Sequence, residues 1–268
     1  MSDRLDGRVA LVTGGTRGVG LGIARELDAA GARVYVTGRH ESRLAAAPGT
    51  GWKCDHHDDA AVEKVFATIA SAAGRLDLLV NCVATVPEEA GAYAASFQPF
   101  WRGEPAVWDT WCDIGLRSHY VASIYAARQM VPRGTGLIVN VSSAAAAQYF
   151  QSVAYGVGKA ALDRFTADAA VQLREHGVSV VSIWPGAVRT EKTEAFEAAG
   201  LASLGDAESP EFAGRAVVAL ATDPDVLSRS GSARYVAELA RDYGFTELDG
   251  SRPPLPTYGG VLQHPAST

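Results

Sequence analysis

The sequence predicts an α/β fold of the doubly wound kind, in which a mostly seven-stranded parallel sheet carries helices on both faces. Three observations support this prediction. Apolar, β-branched runs recur along the chain, Ala-rich segments with helical periodicity separate them, and no break in composition divides the 268 residues. We therefore expect one domain over residues 1–250 and a tail rich in proline and glycine over residues 251–268.

Predicted strands and helices alternate in chain order. Strands are predicted at residues 8–14, 33–38, 76–81, 136–143 and 178–186, with weaker candidates at 52–55 and 233–238. Helices are predicted at residues 19–30, 58–73, 106–131 and 153–175. This order is typical of successive parallel strands joined by crossover helices.

One inserted segment, residues 84–105, interrupts the alternation with glycine, proline and aromatic residues. Its rings are Tyr93, Phe97, Phe100 and Trp101. We expect the segment on the substrate side, with some of these rings lining a pocket for a bulky apolar molecule. A subunit interface or a self-packed loop would account for the rings about equally well.

Composition argues against several classes of protein. The net charge of −6, with no run of Lys or Arg, argues against a nucleic-acid partner. The three cysteines, Cys54, Cys82 and Cys112, have no CxxC spacing and suit reduced, buried thiols. No apolar run is long enough to cross a bilayer. We expect a cytoplasmic protein without membrane contact, and no metal site, because His56 and His57 have no second ligand cluster.

A glycine-rich turn, TGGTRGVGLG at residues 13–22, follows the first strand and opens the first helix. In a doubly wound sheet this is where a dinucleotide pyrophosphate binds to the helix N-terminus. Glycines also serve tight turns and close helix packing, but the position between strand and helix favours a cofactor site. The turn therefore predicts a dinucleotide-binding Rossmann fold.

Charge at the end of the second strand indicates which dinucleotide is bound. An acidic residue there would bind the ribose 2′-hydroxyl of NAD, but the chain has Thr37, Gly38 and Arg39, with Arg17 inside the glycine turn. Two guanidinium groups suit a 2′-phosphate, although Arg39 alone would pass for a solvated loop charge. We therefore predict NADP(H).

The segment AYGVGKAAL, residues 154–162, places Tyr155 and Lys159 on one face of a predicted helix. A phenol with a pKa near 10 is a poor acid or base at neutral pH, and an adjacent ammonium lowers that pKa. The pair is thus a candidate for proton transfer. A packed tyrosine beside a surface lysine is the alternative.

These motifs together resemble the short-chain dehydrogenase/reductase family over almost the whole chain. The similar segments are TGGTRGVG, Asp55, LVN at 79–81, IVNVSS at 138–143, YGVGK and PGAVRT at 185–190. The resemblance implies hydride transfer between NADP(H) and a small carbonyl or alcohol substrate, and a homodimer or homotetramer. It implies cofactor contacts by the following residues: Gly14, Thr16, Arg17, Gly18, Val19, Gly20, Arg39, Asp55, Asn81, Tyr155, Lys159, Pro185, Gly186, Val188 and Thr190.

The resemblance also implies catalytic roles. Tyr155 would donate the proton, Lys159 would lower its pKa and hold the nicotinamide ribose, and a serine would hydrogen-bond the substrate oxygen. Alignment of IVNVSS points to Ser143, whereas counting back from the tyrosine points to Ser142. We choose Ser143, because a slipped strand would turn every side chain to the other face.

Two departures from the family pattern affect the functional prediction. NCVA stands where the family has NNAG, and Gly115 stands where the family has an asparagine that holds a water for proton relay. The polar residues Arg117, Ser118 and His119 could rebuild that relay or could be ordinary helix residues. The leading hypothesis is an NADP(H)-dependent carbonyl reductase for a bulky apolar ketone. The alternative is an NADP(H)-binding sensor or scaffold with little turnover, which Gly115 favours.

Overall fold

The structure is a computed structural model that describes residues 4–84, 98–200 and 203–255. A seven-stranded sheet forms the centre of this part of the chain. All neighbouring strands are parallel, in the order β3-β2-β1-β4-β5-β6-β7. The strands are β1 (Val9–Thr13), β2 (Arg33–Gly38), β3 (Thr50–Lys53), β4 (Leu78–Asn81), β5 (Gly136–Val141), β6 (Val178–Trp184) and β7 (Ala233–Tyr235). The predicted doubly wound α/β fold is confirmed.

Helices connect the strands and cover the sheet. They are α1 (Gly18–Ala29), α2 (Glu41–Ala46), α3 (Asp59–Ala73), α4 (Ala106–Asp109), α5 (Ser118–Met130), α6 (Val153–Leu173), α7 (Glu191–Ala198), α8 (Pro210–Thr222) and α9 (Val236–Tyr243). Between α4 and α5 the chain continues as a π-helical segment, Thr110–Arg117. The predicted helix over 106–131 is therefore helical throughout but changes its hydrogen-bond pattern in the middle.

Two apolar clusters lie on opposite faces of the sheet. Alternate residues of β1 point to different clusters: Ala10 and Val12 pack with α1 and α8 residues such as Ile23, whereas Leu11 packs with α3 residues such as Phe66. Strands that are buried on both faces need apolar side chains at every position. This is why the strands read as continuous apolar runs in the sequence.

The strand order reverses beside β1, which has β2 on one side and β4 on the other. The chain runs outward from β1 to β3 and then crosses back to β4. Loops that leave the carboxyl ends of β1 and β4 therefore diverge, and a crevice opens between them, as at the ligand sites of other doubly wound sheets.

The structure differs from the predicted boundaries at both edges of the sheet. The edge strand β3 begins at Thr50, two residues before the predicted start, and β7, at the opposite edge, ends at Tyr235. Residues 233–238, predicted as a strand, are half strand and half helix. The carboxylate of Glu238 accepts the backbone N–H of Tyr235 at 3.2 Å and so caps the first turn of α9. None of the described helices is both long enough and apolar enough to pass through a bilayer.

Candidate active site

A cleft of about 880 Å³ opens at the carboxyl ends of the strands. It brings together nearly all the predicted site residues: Gly14, Thr16, Arg17, Gly18, Val19, Gly20, Arg39, Asp55, Ser142, Ser143, Tyr155, Lys159, Pro185, Gly186, Val188 and Thr190. Asn81 is the predicted residue that does not line it. The cleft lies at the reversal of strand order, where the glycine turn leaves β1.

Two glycines of the turn lie very close to the backbone around them. Gly14 has a φ of +68°, and a Cβ atom there would lie 3.1 Å from the Cα of Val83. A Cβ at Gly20 would lie 2.4 Å from the carbonyl oxygen of Gly14. At the N-terminus of α1, the backbone N–H of Gly18 donates to the carboxylate of Glu191 at 3.2 Å. The turn thus offers a cradle whose N–H already binds an anion.

A hydrogen-bonded chain behind the turn holds its backbone in place. The N–H of Gly14 donates to Thr37 Oγ1 at 3.1 Å, and the Thr37 hydroxyl lies 2.8 Å from Nε2 of His56. Burial lowers the pKa of His56 to about 4, so the ring is neutral and can accept the hydroxyl proton. The sequence excluded His56 only as a metal ligand and did not reveal this supporting role.

The end of the cleft beside β2 is cationic. It is lined by the three arginines Arg17, Arg39 and Arg43, together with His40. Asp55 also lines this end, where hydrogen bonds from His57 lower the pKa of its carboxyl. Arg39 contributes to the same shift through its charge. The arginine of α2, Arg43, was not predicted, because its approach to the cleft depends on the turn between β2 and α2.

Tyr155 and Lys159 lie on the face of α6 that borders the cleft. The Lys159 Nζ is 5.8 Å from the centre of the Tyr155 ring and donates to the carbonyl oxygen of Val141 at 3.0 Å. Burial lowers the pKa of Lys159 to about 8, against opposing contributions from Cys82 and Asp163. The lysine is therefore mostly cationic at neutral pH, and its charge can stabilise a neighbouring anion.

The two candidate serines at the end of β5 are used differently. The Ser142 hydroxyl lies 3.4 Å from the carbonyl oxygen of Lys159 and also lowers the pKa of Asp163, so its proton has acceptors on α6. The Ser143 hydroxyl accepts the N–H of Ala145 at 3.2 Å, which leaves its own proton for another partner. This difference supports Ser143 as the serine that serves a substrate.

An aromatic wall surrounds the tyrosine. The Trp111 ring meets the Tyr155 ring edge to face at 4.8 Å, and the Phe150 ring lies 6.4 Å from it. Further apolar side chains that line the cleft belong to the following residues: Ile114, Phe196, Leu204, Pro253, Pro254 and Leu255. The first residues of the predicted tail therefore border the cleft, and residues 256–268 lie outside the described part of the chain.

Two rings of the inserted segment, Phe100 and Trp101, lie away from this wall. Phe100 and Trp101 are 68% and 71% exposed, meet edge to face with ring centres 5.6 Å apart and do not line the cleft. The prediction that some of the four rings line a pocket therefore does not hold through these two. Tyr93 and Phe97 lie outside the described residues.

Asn81 has a structural place below the cleft. Its side chain is fully buried, and its amide group donates to Asn140 Oδ1 at 2.9 Å and to Ser123 Oγ at 3.0 Å. It therefore joins β4 to β5 and α5, because a buried amide needs partners for its N–H groups. The side chain is therefore engaged within the fold, and the expected place of Asn81 along the adenosine half of a cofactor stays a prediction.

Gly115 lies in the π-helical segment and lines the cleft, where a Cβ atom would find no heavy atom within 4 Å. The three polar residues that could rebuild a relay point elsewhere. Arg117 forms a double ion pair with Asp59, Ser118 bonds a backbone carbonyl of its own helix, and His119 is buried against another carbonyl. The position of the missing asparagine is therefore open space.

The loop after β6 is held by a carboxyl group that sequence analysis missed. Glu208 is 3% exposed and accepts the N–H of Gly186 at 2.9 Å. Burial raises the pKa of Glu208 to about 7. At the other end of the loop, the hydroxyl of Thr190 accepts the N–H of Thr193 and caps α7. The loop is thus fixed at both ends around the residues that line the cleft.

Comparison with known proteins places this site in a family. The family model described as short chain dehydrogenase matches residues 8–199. Dehydrogenase/reductase SDR family member 1 of Mus musculus is 43% identical over 274 residues, covering 92% of this chain and 85% of the relative. L-xylulose reductase of Bos taurus is 35% identical, covering 73% of this chain and 78% of the relative.

A solved structure agrees with the fold. A short-chain type dehydrogenase/reductase from Mycobacterium ulcerans superposes with a TM-score of 0.77 at 26% identity, covering 87% of this chain and 89% of that chain. The glycine turn and the Tyr155–Lys159 pair line one cleft, and both lie within the residues that the family model matches. The chain belongs to the short-chain dehydrogenase family, whose members are oxidoreductases that use nicotinamide cofactors.

Proposed function

We propose that the protein is an NADP(H)-dependent reductase of bulky apolar ketones. The observation that carries the choice of cofactor is the cationic end of the cleft, which Arg17, Arg39 and Arg43 line together. A 2′-phosphate carries up to two negative charges, and each guanidinium can give it charge-assisted hydrogen bonds worth about 1.5–3 kcal/mol. The cradle at Gly14 and Gly20 suits the backbone approach that a pyrophosphate needs.

A bound nicotinamide dinucleotide supplies the hydride in this reaction. The hydroxyl of Tyr155 gives its proton to the substrate oxygen as that oxygen gains negative charge. The ammonium of Lys159 stabilises the phenolate that remains, and the Ser143 hydroxyl orients the same substrate oxygen. In the oxidative direction each proton moves back along the same path. The reductase name of the L-xylulose relative supports reduction as the working direction.

The apolar end of the cleft supports a bulky substrate. Trp111 and Phe150 lie against Tyr155, Phe196 lines the same cleft, and these rings would bury an apolar group on the carbonyl carbon. Replacing Phe196 by Ala should raise the KM for large ketones more than for small ones. Equal changes for both sizes would argue against this wall as the substrate site.

The cofactor assignment is tested by measuring dissociation constants for NADPH and NADH at low and high salt. Wild type should bind NADPH about a hundredfold more tightly at low salt, and the preference should shrink as salt screens the charges. Arg39→Asp should weaken NADPH binding and leave NADH binding unchanged or improved. Equal affinities in wild type would show that the arginines are surface charges.

Turnover separates a reductase from a sensor. NADPH absorbance should fall with a panel of ketones and quinones, and Tyr155→Phe should abolish this while NADPH still binds. Tight NADPH binding without turnover of any carbonyl would favour the sensor or scaffold, in keeping with the open space at Gly115.

A homodimer or homotetramer is part of the proposal. The outer side of α5 and α6 exposes apolar surface: Tyr120 is 52% exposed and stacks on Phe165 at 5.5 Å, and Val171 is 77% exposed. Covering such side chains in a self-association would remove apolar area from water. Light scattering should report a mass of two or four chains, and a monomer at micromolar concentration would refute it.

A further inference from the structure

A third ionisable residue follows the catalytic face of α6. Tyr155, Lys159 and Asp163 are spaced four residues apart, so they lie in a row along the helix. Asp163 does not line the cleft, and its Oδ1 atom is fully buried. The row thus runs from the cleft at Tyr155, through Lys159, into the protein at Asp163.

A hydrogen bond from β6 holds this carboxylate. The indole N–H of Trp184, at the end of β6, donates to Asp163 Oδ2 at 2.9 Å. Burial raises the pKa of Asp163, and the hydroxyls of Ser142 and Ser182, the Trp184 indole and the Lys159 charge oppose that rise. Hydrogen bonds to a carboxylate favour its charged form. A residue that only filled space beside the helix would not need these contacts.

We propose that Asp163 is a positioning residue for Lys159, whose ammonium group it keeps cationic beside the cleft. The other groups that face Lys159 cannot do this. Cys82 is a buried thiol whose pKa is about 12, His119 is neutral because burial lowers its pKa to about 3, and Tyr155 presents its ring. Among the described groups around Lys159, Asp163 supplies the negative charge at neutral pH.

The inference rests on the proposed role of Lys159 beside Tyr155 and extends it by one helical turn. Burial already lowers the pKa of Lys159 to about 8, and Asp163 opposes a further fall. An opposite charge nearby shifts the pKa of an ionisable group by about 1–3. Because Asp163 is only partly buried, we expect it to shift the pKa of Lys159 by about one. Without Asp163, Lys159 should lose its proton near pH 7.

Titration of Lys159 by NMR tests this without any turnover. The chain contains four lysines, Lys53, Lys64, Lys159 and Lys192, so lysine labelled with carbon-13 at Cε gives a simple spectrum, and Lys159→Arg assigns one signal. Wild type should show a midpoint near pH 8. Asp163→Asn should lower the midpoint by about one pH unit, whereas Asp163→Glu, which keeps the charge, should restore most of it.

Two controls separate charge from structure. Asp168→Asn removes a carboxylate from the exposed side of the same helix, where it pairs with Arg164, and should leave the Lys159 midpoint unchanged. Trp184→Phe removes one hydrogen bond to Asp163 but keeps its charge, and should move the midpoint much less than Asp163→Asn. If Asp163→Asn does not fold, Asp163→Ser removes the charge with a smaller side chain.

The outcomes distinguish this inference from the proposed function. An unchanged Lys159 midpoint in a folded, uncharged Asp163 variant overturns the positioning role. A lowered midpoint together with an equal shift of the alkaline limb of kcat supports both proposals. A lowered midpoint with an unshifted rate profile supports the positioning role and shows that Lys159 does not serve the reaction, which would contradict the proposed function.

Discussion

The contact between Glu191 and the glycine turn predicts that this carboxylate opposes cofactor binding. Glu191 begins α7, and its Oε2 atom accepts the N–H of Gly18 at 3.2 Å, at the N-terminus of α1. A pyrophosphate is expected to bind that same N–H. The carboxylate must therefore leave before the cofactor binds, and it remains nearby as a like charge. We expect Glu191→Gln to tighten binding.

The size of the effect follows from the charge and the exposure. Two unit charges about 4 Å apart interact with about 1 kcal/mol in water and about 4 kcal/mol near a less polar surface. The Glu191 side chain is exposed, so the lower value applies, and salt reduces it further. This corresponds to about fivefold tighter binding at low salt. NADPH and NADH should gain equally, because they share the pyrophosphate.

Isothermal titration calorimetry with both cofactors measures this directly. Glu194→Gln is the matched control, since Glu194 lies in the first turn of the same helix, is exposed and does not line the cleft. Its affinities should match those of wild type. If Glu191→Gln leaves both affinities unchanged or weakens them, the carboxylate does not compete for the helix N-terminus. A gain for NADPH alone would place Glu191 near the 2′-phosphate instead.

Substitutions at three further positions test other contacts. Gly20→Ala should weaken both cofactors and cost about 1–3 kcal/mol of stability by urea unfolding, because its Cβ would lie 2.4 Å from a carbonyl oxygen; native affinity would refute the tight cradle. Gly115→Ala should raise stability by up to about 1 kcal/mol, since the site is helical and open, and Gly115→Asn should change kcat only modestly. Asp77→Asn should lower the free energy of unfolding by about 1–3 kcal/mol at pH 7. Burial alone would raise the pKa of Asp77, but hydrogen bonds and ion pairs from Arg75 and Arg133 outweigh burial and lower that pKa. That stability is present above about pH 4 and is lost as pH falls through the lowered pKa, so urea midpoints of variant and wild type should converge in acid.

Features that depend on short spacing could be predicted from the sequence. The apolar runs, the glycine turn after β1 and the four-residue spacing of Tyr155 and Lys159 are local, because helix and strand geometry determine which side chains share a face. The edges of the sheet were less predictable. At residues 233–238 the apolar pattern is compatible with a strand, and only the capping contact of Glu238 ends β7 at Tyr235.

Features that depend on contacts between distant elements could not be predicted. Asn81 follows a strand in a family-like motif, yet its amide is used by Asn140, which lies 59 residues later. Phe100 and Trp101 are aromatic and belong to the segment expected on the substrate side, but their rings meet edge to face at the surface. Glu208 reads as an ordinary acidic residue until the fold buries it against Gly186.

The row along α6 shows both cases within one helix. Periodicity alone places Asp163 on the same face as Tyr155 and Lys159, so the sequence contained the geometric part of its role. The chemical part comes from Trp184, which β6 brings beside α6 and whose indole N–H binds the carboxylate at 2.9 Å. A charged side chain four residues after a lysine is usually a surface ion pair of little energy, as at Arg164 and Asp168. Burial by a second element is what turns the same spacing into a contact that can influence a reacting group.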